Sequence, residues 1–181
     1  MPPARILDQE ILPDCRELRE MKNPPIERSG DRADAGTGLH LRFYPDAVLR
    51  TVCHPIERFD TWLADVVAEM LALMQTSGGI GLAGPQVGIS QRLFVAKIKR
   101  RSLGLINPVI TARDGCDLMT EGCLSLPDIQ VDVQRPWQIE VQGFDARGRR
   151  RAYCVEGLWA RVMQHEIDHL DGVLICDKVG L

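Results

Sequence analysis

The sequence has few aromatic residues: four Phe, three Trp and two Tyr, 5% of 181 residues. Any core it builds is therefore mainly aliphatic. It has no uninterrupted apolar run of about 18 residues, the length a membrane-spanning helix needs. It also lacks a charge excess, since 22 Lys and Arg against 25 Asp and Glu leave −3 at pH 7. A global electrostatic pull toward nucleic acid is therefore not expected. The N-terminus lacks the apolar stretch and small-residue cleavage site of a secretory signal. It carries Asp8, Glu10, Asp14, Glu17 and Glu20, which argues against an organelle transit peptide. Without a secretory context, the six cysteines read as reduced thiols, with any special one serving metal or redox chemistry. What is present, 45% hydrophobic and 26% charged residues, is ordinary for a single globular domain.

Residues 1–38 stand apart as an N-terminal extension. They hold Pro2, Pro3, Pro13, Pro24 and Pro25, then a polar run from Glu27 to Gly38. That run cannot bury enough apolar area to offset its ordering entropy, so 22–38 reads as flexible. Residues 4–21 could form a short helix. Residues 39–181 form the folded domain. Within it, 39–44 reads as a short strand. Asp60 or Thr61 caps a helix with Leu63, Val66, Val67, Met70, Leu71 and Met74 on one face, the 3.6-residue period of a half-buried helix. Ser77, Gly78 and Gly79 end it.

Residues 92–98 read as a strand. Residues 138–144 alternate polar and apolar, 145–148 make a turn, and 149–155 return. A second helix runs over 158–170. Strands, helix, strands and helix joined by tight hairpins predict an α+β domain with mostly antiparallel sheet. The basic clusters Lys97, Lys99, Arg100, Arg101 and Arg147, Arg149, Arg150, Arg151 read as solvated charges at strand ends. The three tryptophans read as packing residues. Cys15, Cys53, Cys116, Cys154 and Cys176 read as small buried hydrophobes.

The second helix contains the sequence HEIDH at 165–169. His165 and His169, spaced i and i+4, lie one turn apart on one face and can reach one metal ion. Glu166 beside them can reach a water on that metal. A catalytic site of this kind needs a third protein ligand. Ile175 stands where a metzincin would place its third histidine. Only twelve residues follow His169 and none is glutamate, so the ligand comes from upstream. The best candidate is Cys123 in EGCLS at 121–125, since a thiolate suits a borderline-soft divalent metal. Gly122 lets the backbone pass close to the metal, and Pro127 ends the segment stiffly.

Together, GIGLAGPQ at 79–86, EGCLS at 121–125 and HEIDH at 165–169 resemble the three signature motifs of the peptide deformylases, in the same order. The resemblance runs from Tyr44 to about Val179, some three-quarters of the chain. It implies an α+β fold of mostly antiparallel sheets packed around a central metal-binding helix that carries HExxH. It implies one divalent ion on Cys123, His165 and His169, with a position left for water. Fe2+ is expected, and Zn2+, Ni2+ or Co2+ would also suit these ligands. The resemblance makes Glu166 the general base and acid. Gln86 and the backbone N–H of Leu124 become the donors to the oxyanion. Ile80, Gly81 and Leu82 contact the substrate main chain by strand addition, and Leu158 and Val162 serve pocket or core.

The implied substrate is the N-formylmethionine of newly made polypeptides in a bacterial cytoplasm. Transient ribosome contact is compatible with this, with no membrane partner and no direct nucleic-acid binding. The chain departs from the family at Gly84, usually alanine, and at Gln130, where many bacterial members carry an arginine that holds the substrate. It stops at Leu181, where many continue into a C-terminal helix that docks some on the ribosome, so docking by that route is not expected. Two alternatives are a catalytically weak deformylase-like protein that binds N-terminal peptides, and another kind of metallopeptidase.

Overall fold

The computed structural model describes residues 38–179. The helix expected at 4–21 and the flexible stretch expected up to residue 37 lie outside the described residues. The elements are α1 (Thr61–Thr76), β1 (Gly81–Ala83), β2 (Leu93–Ile98), β3 (Arg101–Asp114), β4 (Asp117–Cys123), β5 (Leu126–Arg135), β6 (Gln138–Phe144), β7 (Arg150–Glu156) and α2 (Gly157–Leu170). Short 3-10 turns cover Ala47–Arg50, Gly84–Val87 and Ile175–Lys178. The main sheet has the order β1-β2-β3-β6-β7, and β4 and β5 form a separate hairpin. Every strand pairing is antiparallel. This agrees with the α+β expectation.

The strand β2 explains the layering. Leu93, Phe94, Val95 and Ala96 are all buried, with no polar face. Alternate side chains point to opposite faces of a strand, and each face has its own helix. Leu93 and Val95 pack in the core that holds Leu63, Val66, Met70 and Met74 of α1. Phe94 and Ala96 pack in the core that holds Val162, Met163, Ile167 and Leu170 of α2. Fully burying side chains of this size stabilises by about 1.5–3 kcal/mol each before entropy is counted. A third core, with Leu126, Val131, Val133, Leu174 and Ile175, lies under the β4–β5 hairpin.

Both helices lie where their periodicity places them. Asp60 caps α1, its carboxylate accepting from Leu63 N at 3.2 Å. Gly79 N–H returns to Met74 O at 2.9 Å and closes its end. Other expectations need correction. Residues 39–43 form no strand, and Tyr44 lies in a turn. Arg42 N–H reaches Gln86 O at 2.8 Å and Tyr44 N–H reaches Ser125 O at 2.9 Å. Two single bonds to two different segments make no ladder. Pro127 does not end its segment; it is the second residue of β5.

Of the tryptophans only Trp159 is buried, while Trp62 and Trp137 are 43% and 45% exposed. Among the described cysteines only Cys53 is buried; Cys116 is exposed, and Cys154 and Cys176 are half-buried. Arg149 and Arg151 both bind Asp145, at 2.8 and 2.9 Å, so that cluster is a paired turn rather than a purely solvated one.

Candidate metal centre

The helix α2 sets His165 and His169 with ring centroids 4.9 Å apart and planes at 74°. Cys123 arrives from the end of β4, where the β4–β5 register shifts between Gly122 and Cys123. Such an irregularity re-aims a side chain. Cys123 Sγ lies 3.3 Å from His169 Nε2. The ligand atoms of Cys123, His165 and His169 all fall within 4.8 Å of one another.

These residues fit a divalent ion. A thiolate and two imidazoles are a borderline-soft donor set. Burial opposes a proton on His165, but hydrogen bonds with Cys123 and Glu121 outweigh it and raise the ring to about 10. Burial, then the charge of His165, holds His169 well below its usual 6.5.

A frame of charged side chains stands behind the histidine. Glu121, two residues before Cys123 on β4, is buried. Its Oε2 lies 2.9 Å from His165 Nδ1. Its Oε1 accepts from Arg135 Nε and from Arg161 Nη1, each at 2.6 Å. Burial pushes the Glu121 carboxyl up, but hydrogen bonds with His165 and Arg135 prevail and hold it at about 2. It is an acceptor at neutral pH, so it takes the hydrogen bond from His165 Nδ1 and leaves Nε2 as the ring nitrogen that would face a metal. Arg135 reaches on to Asp168 at 2.7 Å, and Lys178 meets the same carboxylate at 3.0 Å. Reading the sequence assigned no role to Arg135 or Arg161. Their signal is weak, because a lone arginine usually reads as exposed.

A cavity of about 470 Å³ opens beside His165, and His169 does not line it. Ile80, Gly81, Gln86, Cys123, Leu124, His165 and Glu166, all singled out in the sequence, line it. Glu166 is buried, and its Oε2 has no hydrogen-bond partner in the protein. Burial foremost pushes this carboxyl up to about 7, against the charges of His165 and Arg135. Gln86 is buried in the turn after β1. Its Oε1 accepts from Ala83 N at 2.8 Å, which aims Nε2 toward Ser125 Oγ at 3.2 Å and Cys123 Sγ at 3.5 Å. Ser125 is a neighbour that motif reading left without a role.

The strand β1 is an edge strand, and among the described residues it pairs with β2 alone. The Leu82 side chain turns away from the cavity into the core shared with α1, so its contribution at this edge is main chain only. Leu158 lines the cavity and is 43% exposed, whereas Val162 lines it from within the core.

An HExxH helix, an upstream cysteine and a buried carboxylate at one cavity define a metal-dependent hydrolase site. The family model described as polypeptide deformylase matches residues 39–180. A peptide deformylase from Dictyoglomus turgidum is 39% identical over 140 residues, covering 77% of this chain and 92% of the relative. The crystal structure of the peptide deformylase from Thermotoga maritima superposes with a TM-score of 0.77 at 41% identity, over 78% of this chain and 97% of that one. A class I type b peptide deformylase from Acinetobacter baumannii, solved with Met-Ala-Ser bound, superposes at 0.75 and 28% identity, over 80% and 99% of the two chains. The chain belongs to the peptide deformylase family, whose members are metal-dependent hydrolases.

Proposed function

We propose that this chain hydrolyses the formyl group from the N-terminal formylmethionine of new polypeptides, with residues 39–181 as the catalytic domain and 1–38 as an extension. The observation that carries this is the convergence of Cys123, His165, Glu166 and Gln86 on one cavity beside the open edge of β1. On this reading α2 is the central metal-binding helix, and Cys123, His165 and His169 hold one divalent ion, Fe2+ in the cell. That ion, when bound, supplies a Lewis acid and lowers the pKa of water so that hydroxide is available near neutral pH.

The chain's own residues do the rest. Glu166, whose carboxyl burial pushes up, takes a proton from the attacking water and returns it to the departing amine. The formyl C–N bond breaks, giving formate and a free N-terminus. Gln86 Nε2 and the Leu124 N–H donate to the oxygen that gains charge. Preorganised donors of this kind are worth roughly 3–4 kcal/mol each. Ile80, Gly81 and Leu82 present main-chain groups to an extended peptide, and the cavity beside Leu158 and Val162 takes the methionine side chain. The Met-Ala-Ser complex of the A. baumannii relative supports a peptide substrate of this kind.

A bacterial cytoplasm is the proposed location, in keeping with bacterial relatives. Among the described residues no helix is long and apolar enough to cross a membrane. Any ribosome contact is transient, and direct nucleic-acid binding is not part of this reading. The test is formate release from formyl-Met-Ala-Ser by protein loaded with Fe2+ under anaerobic conditions. Glu166→Ala is expected to lower kcat by about 10²–10⁴, the usual worth of a positioned acid–base group. Full activity in that variant would sink the mechanism. Tight binding of the peptide by wild type without formate release would leave a peptide-binding protein.

A further inference from the structure

Arg161 is a cation buried to 5% exposure on the metal-binding helix, one turn before His165. A guanidinium in such a place must be fully hydrogen-bonded or it is strongly unfavourable. Its Nη1 donates to Glu121 Oε1 at 2.6 Å and to Val133 O at 2.9 Å. Its Nη2 donates to Asp117 O at 2.9 Å and to Asp117 Oδ2 at 3.3 Å. It lines the cavity, yet both terminal nitrogens are committed to protein oxygens. It is therefore not a hook for an anionic part of a substrate.

The arrangement does something else. Arg161 and His165, spaced i and i+4 on α2, grip the two oxygens of one carboxylate on β4. Arg135 from β5 binds both oxygens of that carboxylate from another element, at 2.6 and 2.9 Å. Three elements thus fix the Glu121 plane, and that plane fixes the His165 ring. With Arg135 alone, the carboxylate could turn about the fork it forms with one guanidinium. The bond from Arg161 to Oε1 blocks that turn.

We infer that Arg161 is a positioning residue for the metal centre, acting through Glu121 to hold His165 in its ligating orientation. The inference rests on the metal-binding reading above. Partners behind a ligating histidine typically matter by 10–100-fold in metal affinity.

The test is Co2+ affinity of the metal-stripped full-length protein, measured by competition with a chelating dye, alongside circular dichroism and the apo Tm. Arg161→Met is expected to bind Co2+ about 10–100-fold more weakly than wild type. Arg161→Lys keeps one donor for Oε1 without the fork and should fall between the two. If Arg161→Met fails to fold, the Lys variant decides, and wild-type affinity in it overturns the inference. Asn107→Ala is the control for lost stability alone. It removes two 2.8 Å hydrogen bonds to Ile56, in the core shared with α1. Its apo Tm should fall with Co2+ affinity unchanged. Unchanged affinity in Arg161→Met, or equal weakening in Asn107→Ala, overturns the positioning role. Failure of wild type itself to bind Co2+ overturns the metal reading instead.

Discussion

Glu166 occupies the space that a side chain on residue 81 would need. A Cβ on Gly81 would lie 2.1 Å from Glu166 Oε1, 2.8 Å from its Cδ and 3.0 Å from Val162 Cγ1. Reading the sequence explained this glycine by the approach of a substrate strand; the structure adds that the carboxylate packs against it. Gly81→Ala must therefore displace the buried carboxylate proposed above as the general base. We expect kcat for formate release to fall by about 10² or more with the circular dichroism spectrum unchanged. Retained kcat would show that Glu166 is free to relocate.

The cysteines give a second lesson at this scale. Cys123 stood out among six because its neighbours form a motif, whereas the others carried only the average behaviour of cysteine. That average holds for Cys53, whose thiol burial pushes up to about 11. It fails for exposed Cys116. Iodoacetamide at pH 8 should alkylate Cys116 in the native protein while Cys53 stays unmodified, as peptide mass spectrometry can read. Equal labelling would contradict the burial of Cys53.

Elements with one greasy face and one wet face were legible in the sequence. The helix α1 followed from its 3.6-residue period, and β6 and β7 from alternation around the Asp145 turn. The strands β4 and β5 were not legible, for a physical reason. The single buried residue of β4 is Glu121, and β5 buries Arg135 among its alternating valines. A pattern that inserts charges at buried positions looks like loop. Those charges are accommodated because Glu121 pairs with Arg135 and Arg161, across three elements.

The turn that carries Gln86 offers a test at the same scale. A Cβ on Gly84 would lie 2.7 Å from Ile89 O and 2.8 Å from Gln91 O. Both are main-chain atoms, so the loop itself would have to move. The alanine usual in the family therefore does not fit this loop as it stands, and the glycine is a requirement of it. Gly84→Ala should destabilise by about 1–3 kcal/mol, as overpacking does. A thermal melt should show Tm lower by several degrees; an unchanged Tm would mean that the 84–91 loop yields freely.

At the scale of the whole molecule, the β4–β5 hairpin is separate from the main sheet. Its small apolar core joins it to Leu49 and to Leu174 and Ile175, and the charges around Glu121 and Arg135 tie it to α2. Acid should loosen that tie first. Burial raises the Glu121 carboxyl, but its partners win and hold it at about 2 against an ordinary 4.5. A group held below its unfolded value stabilises fully above that value, and its contribution is lost as pH falls through the folded one. The window is therefore about pH 4.5 down to about 2. A shift of that size corresponds to on the order of 3 kcal/mol at neutral pH.

Urea unfolding of metal-stripped wild type and Glu121→Gln isolates the effect, since neither then gains from a bound ion. At pH 7 the variant should be less stable, because its amide leaves two buried guanidiniums without their shared anion. Between pH 4.5 and 2 the gap should close as wild type alone takes up the proton. A gap that stays constant through that window would mean that the carboxylate's charge does not hold the hairpin to α2.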